Sequence, residues 1–281
     1  MAEIFTGGTL YLCPTPIGNL EDITYRTVRC LREATVIAAE DTRHTRTLLQ
    51  AFSIETPLLS YHEHNKAEKG AVLMERLRQG DMVALVSDAG MPAISDPGAD
   101  LVRLAIAAGI PIVPLPGANA GLTGLIASGL DTTRFTFIGF LPKTKKHRAP
   151  ELERLKNATG TLIFYEAPHR IEKVLAEIEE VFGERQAVVC RELTKKYEQF
   201  IRGTLTEVRV ALHEQGSRGE FVLLIAARQD ELVETSAAGS PIDYAAVVAE
   251  LCATGIDKKE AIRTVAKRCG VAKRDVYQST L

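Results

Sequence analysis

Three stretches of this sequence join an apolar run to a glycine- and proline-rich continuation: TLYLC into PTPIGNLEDIT, PIVPL into PGANAG, and VALVS into DAGMPAISDPG. The last is the most informative. A buried strand that ends at Ser87 and Asp88 and passes into such a loop puts backbone and small residues where ligands of open α/β sheets gather, beyond the carboxyl ends of the strands. Gly90 allows a close backbone approach that a side chain would block. A nucleoside cofactor suits this arrangement, although Gly, Pro and Asp also serve plain turns. The two flanking loops are neither G-x-G-x-x-G nor Walker A sequences, which disfavours a common dinucleotide fold and a P-loop NTPase.

Three polar segments follow apolar runs in the same way. EDTRHT supplies Glu40, Asp41, Arg43 and His44; FYEAPHR supplies Glu166, His169 and Arg170; CRELTKKYE supplies Arg191, Glu192, Lys195 and Tyr197. They offer acids and bases for proton transfer, and guanidinium groups whose planar fork pairs with phosphate. Each also has a structural reading: Asp41 as a helix cap, His169 and Arg170 as a helix start beside Pro168, Lys195 as part of a solvated turn. Tyr61-His62-Glu63-His64 lacks H-E-x-x-H or cysteine-rich spacing, so no metal is expected.

The elements that must position these groups read as an α/β protein. Continuous apolar strands, including Thr35 to Ala39, alternate with helical patterns such as KAEKGAVLMERLRQG, which implies a mainly parallel sheet covered on both faces. Residues 1–142 form one expected α/β domain and 143–228 a second, built from GTLIFYEA, HRIEKVLAEIEEVFG, QAVVCREL, EQFIRGTL and EFVLLIAAR. Residues 229–241 have linker composition, and 242–281 read as a small helix-turn-helix-like domain. The uncharged run from Leu104 to Leu130 is long enough to span a membrane, but Pro111, Pro114 and Pro116 divide it into shorter elements. The N-terminus lacks a signal-peptide pattern and the five cysteines are scattered, so a cytoplasmic location is expected. A net charge of −2 means that attraction to a polyanion depends on local clusters: Lys143, Lys145, Lys146 and Arg148, and the lysines and arginines beyond Lys258.

PTPIGNLEDIT, EDTRHT, SDAGMPAISDPG, PLPGANA, FYEAPHR and CRELTKKYE occur in the order seen in one family, and over residues 9–228 the chain resembles the ribosomal RNA small subunit methyltransferase I family. That family is similar in fold to the tetrapyrrole methylases and diphthine synthase, the class III methyltransferases. The resemblance implies two α/β domains with S-adenosylmethionine in the cleft between them, a C-terminal helix-turn-helix domain and a homodimer. It further implies 2′-O-methylation of a cytidine ribose, cytidine 1402 in rRNA numbering, in 16S rRNA of the small ribosomal subunit. Carried onto this chain, the cofactor bed comprises Ile17 and Gly18; Asp88, Gly90, Met91 and Ile94; Pro116, Gly117 and Ala118; and Phe164, Tyr165 and Cys190. RNA contacts fall to Arg43, His44, His169, Arg170, Arg191, Lys143, Lys145, Lys146 and Arg148, and the general base to Lys195 or Glu192. A tetrapyrrole methyltransferase of the same fold and a non-catalytic nucleic-acid-binding regulator are the alternative readings.

Overall fold

A computed structural model describes residues 8–228, 243–253, 256–269 and 271–280; the expected linker 229–241 lies outside them. The chain divides into two compact units, up to and beyond residue 228. The large unit contains two five-stranded sheets. In the first, β1 (Thr9–Leu12), β2 (Val36–Ala39), β3 (Leu58–Ser60), β4 (Met82–Val86) and β5 (Ile112–Pro114) are ordered β3-β2-β4-β1-β5 and all pair in parallel. Helices α1 (Tyr25–Glu33) and α2 (Thr42–Ala51) bury Cys30, Leu31 and Leu49 against one face. Helices α3 (Lys66–Arg78) and α4 (Gly98–Ala107) bury Leu73, Leu77, Leu101 and Ala105 against the other. Adjacent strands β1 and β4 therefore lead to helices on opposite faces, and their loops part at the carboxyl edge. A crevice of this kind is where doubly wound sheets bind ligands.

Helix α5 (Ala120–Ser128) follows β5 but packs on the second sheet, against β7 and β10. That sheet comprises β6 (Phe135–Phe140), β7 (Thr161–Glu166), β8 (Gln186–Arg191), β9 (Gln199–Thr204) and β10 (Phe221–Ile225), ordered β6-β7-β10-β8-β9. Only β6 and β7 are parallel; the remaining pairings are antiparallel. The second sheet thus draws in β6 and α5, which precede the expected domain boundary at 142/143. Its opposite face is covered by α6 (Lys145–Leu155), α7 (Ile171–Phe182) and α8 (Leu205–Gln215) around Leu152, Leu175, Ile178 and Leu212. The second unit is a helical cluster of α9 (Tyr244–Ala253), α10 (Lys258–Cys269) and α11 (Lys273–Ser279) around Val248, Ala261, Val265 and Val276. Among the described residues no helix is long and apolar enough to cross a membrane.

Arg148 corrects a sequence expectation. It lies inside α6, where Nε and Nη2 pair with the Glu177 carboxylate at 2.5 and 2.9 Å and Nη1 donates to the carbonyls of Pro142 and Lys143. Its side chain is 3% exposed, so it is a tie between α6 and α7 and not a phosphate contact. Glu177 holds Arg148 charged, and Arg148 in turn lowers the Glu177 carboxyl below its usual range. Truncating one partner of a buried pair leaves the other charge uncompensated, at a cost of about 3–5 kcal/mol. Arg148→Ala is therefore expected to lower the unfolding free energy by roughly that amount in denaturant titrations. Combining Arg148→Met with Glu177→Leu is expected to recover most of the loss, because neither charge is then left buried alone.

Candidate active site at the carboxyl edge of the first sheet

The loops that follow β1 and β4 are fastened to one another by backbone, and the loop after β5 lies against them. Thr15 and Gly90 exchange two N–H···O bonds of 2.9 and 3.0 Å, and the Thr15 hydroxyl donates to the Ser87 carbonyl at 3.1 Å. Gly90 has φ 80°, and a Cβ there would lie 3.2 Å from Ile17 Cγ2 and 3.3 Å from the Ala118 carbonyl oxygen. Asp96 Oδ1 accepts the N–H groups of Ala93 and Gly98 just ahead of α4, whose N-cap position is Pro97. Ala93 and Ser95 adopt left-handed φ of 68° and 62°. Such strain in non-glycine residues persists only where surrounding structure enforces it.

These loops meet the second sheet around a cavity of about 450 Å³. Ile17 from the first loop packs with Leu125, Ile163, Cys190, Leu193 and Val222 in a shared apolar cluster. The Tyr165 hydroxyl accepts the Gly121 N–H at 3.1 Å, anchoring the first turn of α5 to β7. Phe137 and Phe140 meet the Tyr165 ring edge-on at centroid distances of 5.0 and 5.8 Å. Burial pushes the Cys190 thiol up to about 12, so it lines the cavity as a neutral group and not as a thiolate nucleophile.

Charge gives the cavity its character. Glu40, Asp88, Asp96, Glu166 and Glu220 line it, and among the described residues no Lys, Arg or His does. Burial first, then the neighbouring Asp88 and Asp96 carboxylates, raise the Glu40 carboxyl above its ordinary range. Burial likewise raises Asp96 and Glu166. Glu166 Oε1 is held by the Ala167 N–H at 2.8 Å and faces Arg170 Nε at 3.2 Å, while its Oε2 is buried without a hydrogen-bond partner. A chamber lined in this way attracts a compact cation and repels phosphate.

Of the residues expected to hold a cofactor, Ile17, Asp88, Gly90, Met91, Ile94, Tyr165 and Cys190 line this cavity. Phe164 does not: alternation along β7 turns it to the other face, into the core with Leu141 and Leu152. Pro116, Gly117 and Ala118 also stand outside the lining. Gly117 instead permits close packing, since a Cβ there would come within 2.5 Å of Pro14 Cβ. Gly18 abuts Lys195, whose Cγ a Gly18 Cβ would meet at 2.5 Å. Lys195 Nζ bridges Glu192 Oε1 and Glu220 Oε2, each at 3.0 Å. Burial would weaken its charge, but the two carboxylates outweigh that and keep the ammonium above its usual range, so at neutral pH Lys195 is a cation with no free lone pair for proton abstraction. The Glu220 N–H and Lys195 lower the Glu192 carboxyl, which makes it a weak base.

The expected RNA contacts separate into two groups. Arg43, paired with Asp41, and His44 are exposed on α2; Lys143, Lys145 and Lys146 are exposed before and within the first turn of α6; His169 is exposed before α7. Arg170 donates to the Leu141 carbonyl at 2.9 Å, and Arg191 lies 5.9 Å from the Phe221 ring centroid and donates to the Gly216 carbonyl, so both are tied to protein. Sequence reasoning missed Glu220, Phe221 and Val222, which line the cavity because antiparallel pairing sets Phe221 opposite both Glu166 and Arg191.

Residues 9–209 match the family model described as tetrapyrrole (corrin/porphyrin) methylases. A protein named ribosomal RNA small subunit methyltransferase I from Halalkalibacterium halodurans is 51% identical over 270 residues, 96% of this chain and 93% of that protein. One of the same name from Bacillus subtilis is 49% identical, over 97% of this chain and 94% of that protein. Among solved structures, the cobalamin biosynthetic enzyme cobalt precorrin-4 methyltransferase superposes with a TM-score of 0.59 at 19% identity, over 78% of this chain and 95% of that one. Uroporphyrin-III C-methyltransferase from Thermus thermophilus, complexed with S-adenosylhomocysteine, gives 0.57 at 19% identity over 78% and 97%.

A carboxyl raised by folding stabilises the native state below its unfolded value, and that contribution is lost as pH rises through the folded value. Glu40 therefore opposes folding at pH 7. Glu40→Gln is expected to raise the thermal midpoint by about 1–2 °C at pH 7 and to leave it unchanged at about pH 4, measured by calorimetry at both pH values.

Proposed function

This chain belongs to the tetrapyrrole methylases and, within them, to the ribosomal RNA small subunit methyltransferase I family, and on that footing we propose that it methylates the 2′-hydroxyl of a cytidine, cytidine 1402 in rRNA numbering, in 16S rRNA. S-adenosylmethionine is the donor, and the cytoplasm is where the chain acts. The observation that carries this reading is the cavity with five carboxylates and no basic side chain among the described residues. S-adenosylmethionine bears a sulfonium and an ammonium against one carboxylate, a net positive charge that such a lining favours. Ile17, Met91, Ile94 and Tyr165 supply apolar wall for an adenosine, and Gly90 lets Ile17 and Ala118 of the other two loops close up beside it.

The bound donor supplies a methyl group already activated for displacement. The chain must align the ribose hydroxyl with it and exclude water, and such positioning accounts for several kcal/mol of a barrier. The acidic lining repels the phosphates on either side of the target, so the ribose and its base enter while the strand stays outside. A carboxylate of the lining would take the hydroxyl proton as the methyl is transferred, leaving S-adenosylhomocysteine; Lys195, held as a cation between Glu192 and Glu220 outside the lining, does not remove it. Outside the cavity, Arg43, Lys143, Lys145 and Lys146, with Lys258, Lys259, Arg263, Lys273 and Arg274 of the helical unit, are exposed for phosphate. Each phosphate neutralised makes affinity fall with salt.

The expected result is transfer of labelled methyl from S-adenosylmethionine to one cytidine ribose of unmodified small subunits, located by nuclease mapping. Label on a base, or none on RNA together with label on a tetrapyrrole, overturns the substrate.

A homodimer belongs to the same reading. Leu122 and Ile126 on the outer side of α5, and Phe135 and Phe137 on the edge strand β6, are exposed on the face of the sheet that carries Tyr165, and Ile126 is 78% exposed. Apolar exposure of this kind marks an association surface. Ile126→Glu with Phe137→Glu is expected to shift the sedimentation coefficient from dimer to monomer. A wild-type monomer at micromolar concentration counts against it.

A further inference from the structure

The loop between β8 and β9 does two things at once. Leu193 forms part of the cavity wall, while Tyr197, four residues on, projects into solvent with 72% of its surface exposed. This exposure does not come with a slack loop. Glu192 and Thr194 hold left-handed φ of 52° and 68° without being glycines. The Lys195 and Glu198 N–H groups donate to the carbonyls of Glu192 and Lys195, and the Thr194 N–H donates to Glu198 Oε2 at 2.7 Å. Lys195 ties the loop to Glu220 on the cavity lining and packs on Gly18 of the first loop. A left-handed backbone at non-glycine positions is costly and is found where a particular presentation is enforced. What is presented here is an aromatic ring with the Lys196 ammonium 5.5 Å from its centroid.

We propose that Tyr197 and Lys196 form a seat for one nucleobase of the single-stranded RNA beside the target nucleotide, Tyr197 stacking on the base and Lys196 meeting its phosphate. The seat rests on the RNA reading above and adds to it a place for the strand that the acidic cavity excludes. A ring stacks on any base, since every base has a π face, so the seat holds the strand without choosing its sequence. With Lys195 neutralised by two carboxylates, Lys196 is the cation of this loop left to meet a phosphate. Its contact with the ring leaves it next to any base stacked there. Rigid placement matters because the order of the loop is already established before RNA arrives, so little flexibility is lost on binding.

The test compares Tyr197→Ala and Tyr197→Phe in the full chain. Stacking of one base predicts an apparent KM for unmodified small subunits raised about tenfold in Tyr197→Ala and within about twofold of wild type in Tyr197→Phe, with calorimetric affinity for S-adenosylmethionine unchanged in both. An unaltered KM in Tyr197→Ala, or equal impairment of the two variants, overturns the seat. The chain has no tryptophan, so Tyr197→Trp carries a single reporter. Its fluorescence is expected to be quenched by a single-stranded cytidine-containing oligoribonucleotide, and an unquenched reporter also overturns the proposal. If wild type transfers no methyl to subunits, the reading of the substrate fails on its own, and the quenching experiment still decides whether Tyr197 stacks on a base.

Discussion

The site depends on the close approach of α5 to the second sheet. Gly121 and Gly124 make it possible: a Cβ on Gly121 would stand 3.2 Å from Ile163 Cγ2, and one on Gly124 would stand 3.1 Å from Cys190 Sγ. Both contacts are tighter than packed interiors tolerate without displacement. The helix is fixed at each end. Asn119 Oδ1 caps the Leu122 N–H and Tyr165 takes the Gly121 N–H, while Arg202 from β9 donates to the carbonyls of Ala127 and Ser128 at its C-terminus, where a cation also complements the helix dipole. Because α5 continues directly from the loop after β5, this seating pulls the three carboxyl-edge loops of the first sheet against β7, β8 and β10. The cavity is what remains between them.

Acidic groups in that cavity work against folding. Glu40, Asp96 and Glu166 are each raised by burial, and like-charged neighbours add to the effect at Glu40 and Asp96. Raised carboxyls stabilise the fold at low pH and oppose it once ionised. A purely structural pocket of this size would be expected to carry neutral polar or apolar side chains, as the rest of the lining does. The large apolar cores on either face of both sheets and the paired Arg148–Glu177 tie supply the stability against which this local cost is set. Binding of a cation relieves the repulsion, so occupancy and stability are linked through the same carboxylates.

How much of this was legible in the sequence follows from how local each cause is. The loops bearing Ile17, Asp88 and Gly90 were readable because a parallel strand ending in glycine and proline must turn at the ligand edge. The Asp41 cap and the α3 stripe were readable because capping and helical period act within four residues. Leu58–Ser60 was too short to give a strand pattern. Phe164 failed because the pair Phe164-Tyr165, between Ile163 and Glu166, gives no sign of which ring faces inward; that follows from where α5 lies. Arg148 failed because a basic run looks solvated until Glu177, 29 residues later, is brought beside it. Glu220 to Val222 were readable as the start of the EFVLLIAAR run but not as cavity lining, since that place depends on antiparallel pairing with two distant strands.

The separation of charge between cavity and surface also bears on how one fold serves different substrates. The solved structures of about 19% identity share the two-sheet arrangement and act, by name, on corrin or porphyrin compounds. A cavity that takes a cationic donor leaves part of the selection among acceptors to the surface around it. Exposed basic side chains that the RNA reading uses lie outside that lining: on α2, around the start of α6, in the loop after β8 and on the helical unit. On the RNA reading, the carboxylates that favour a cationic donor also hold phosphate off the interior.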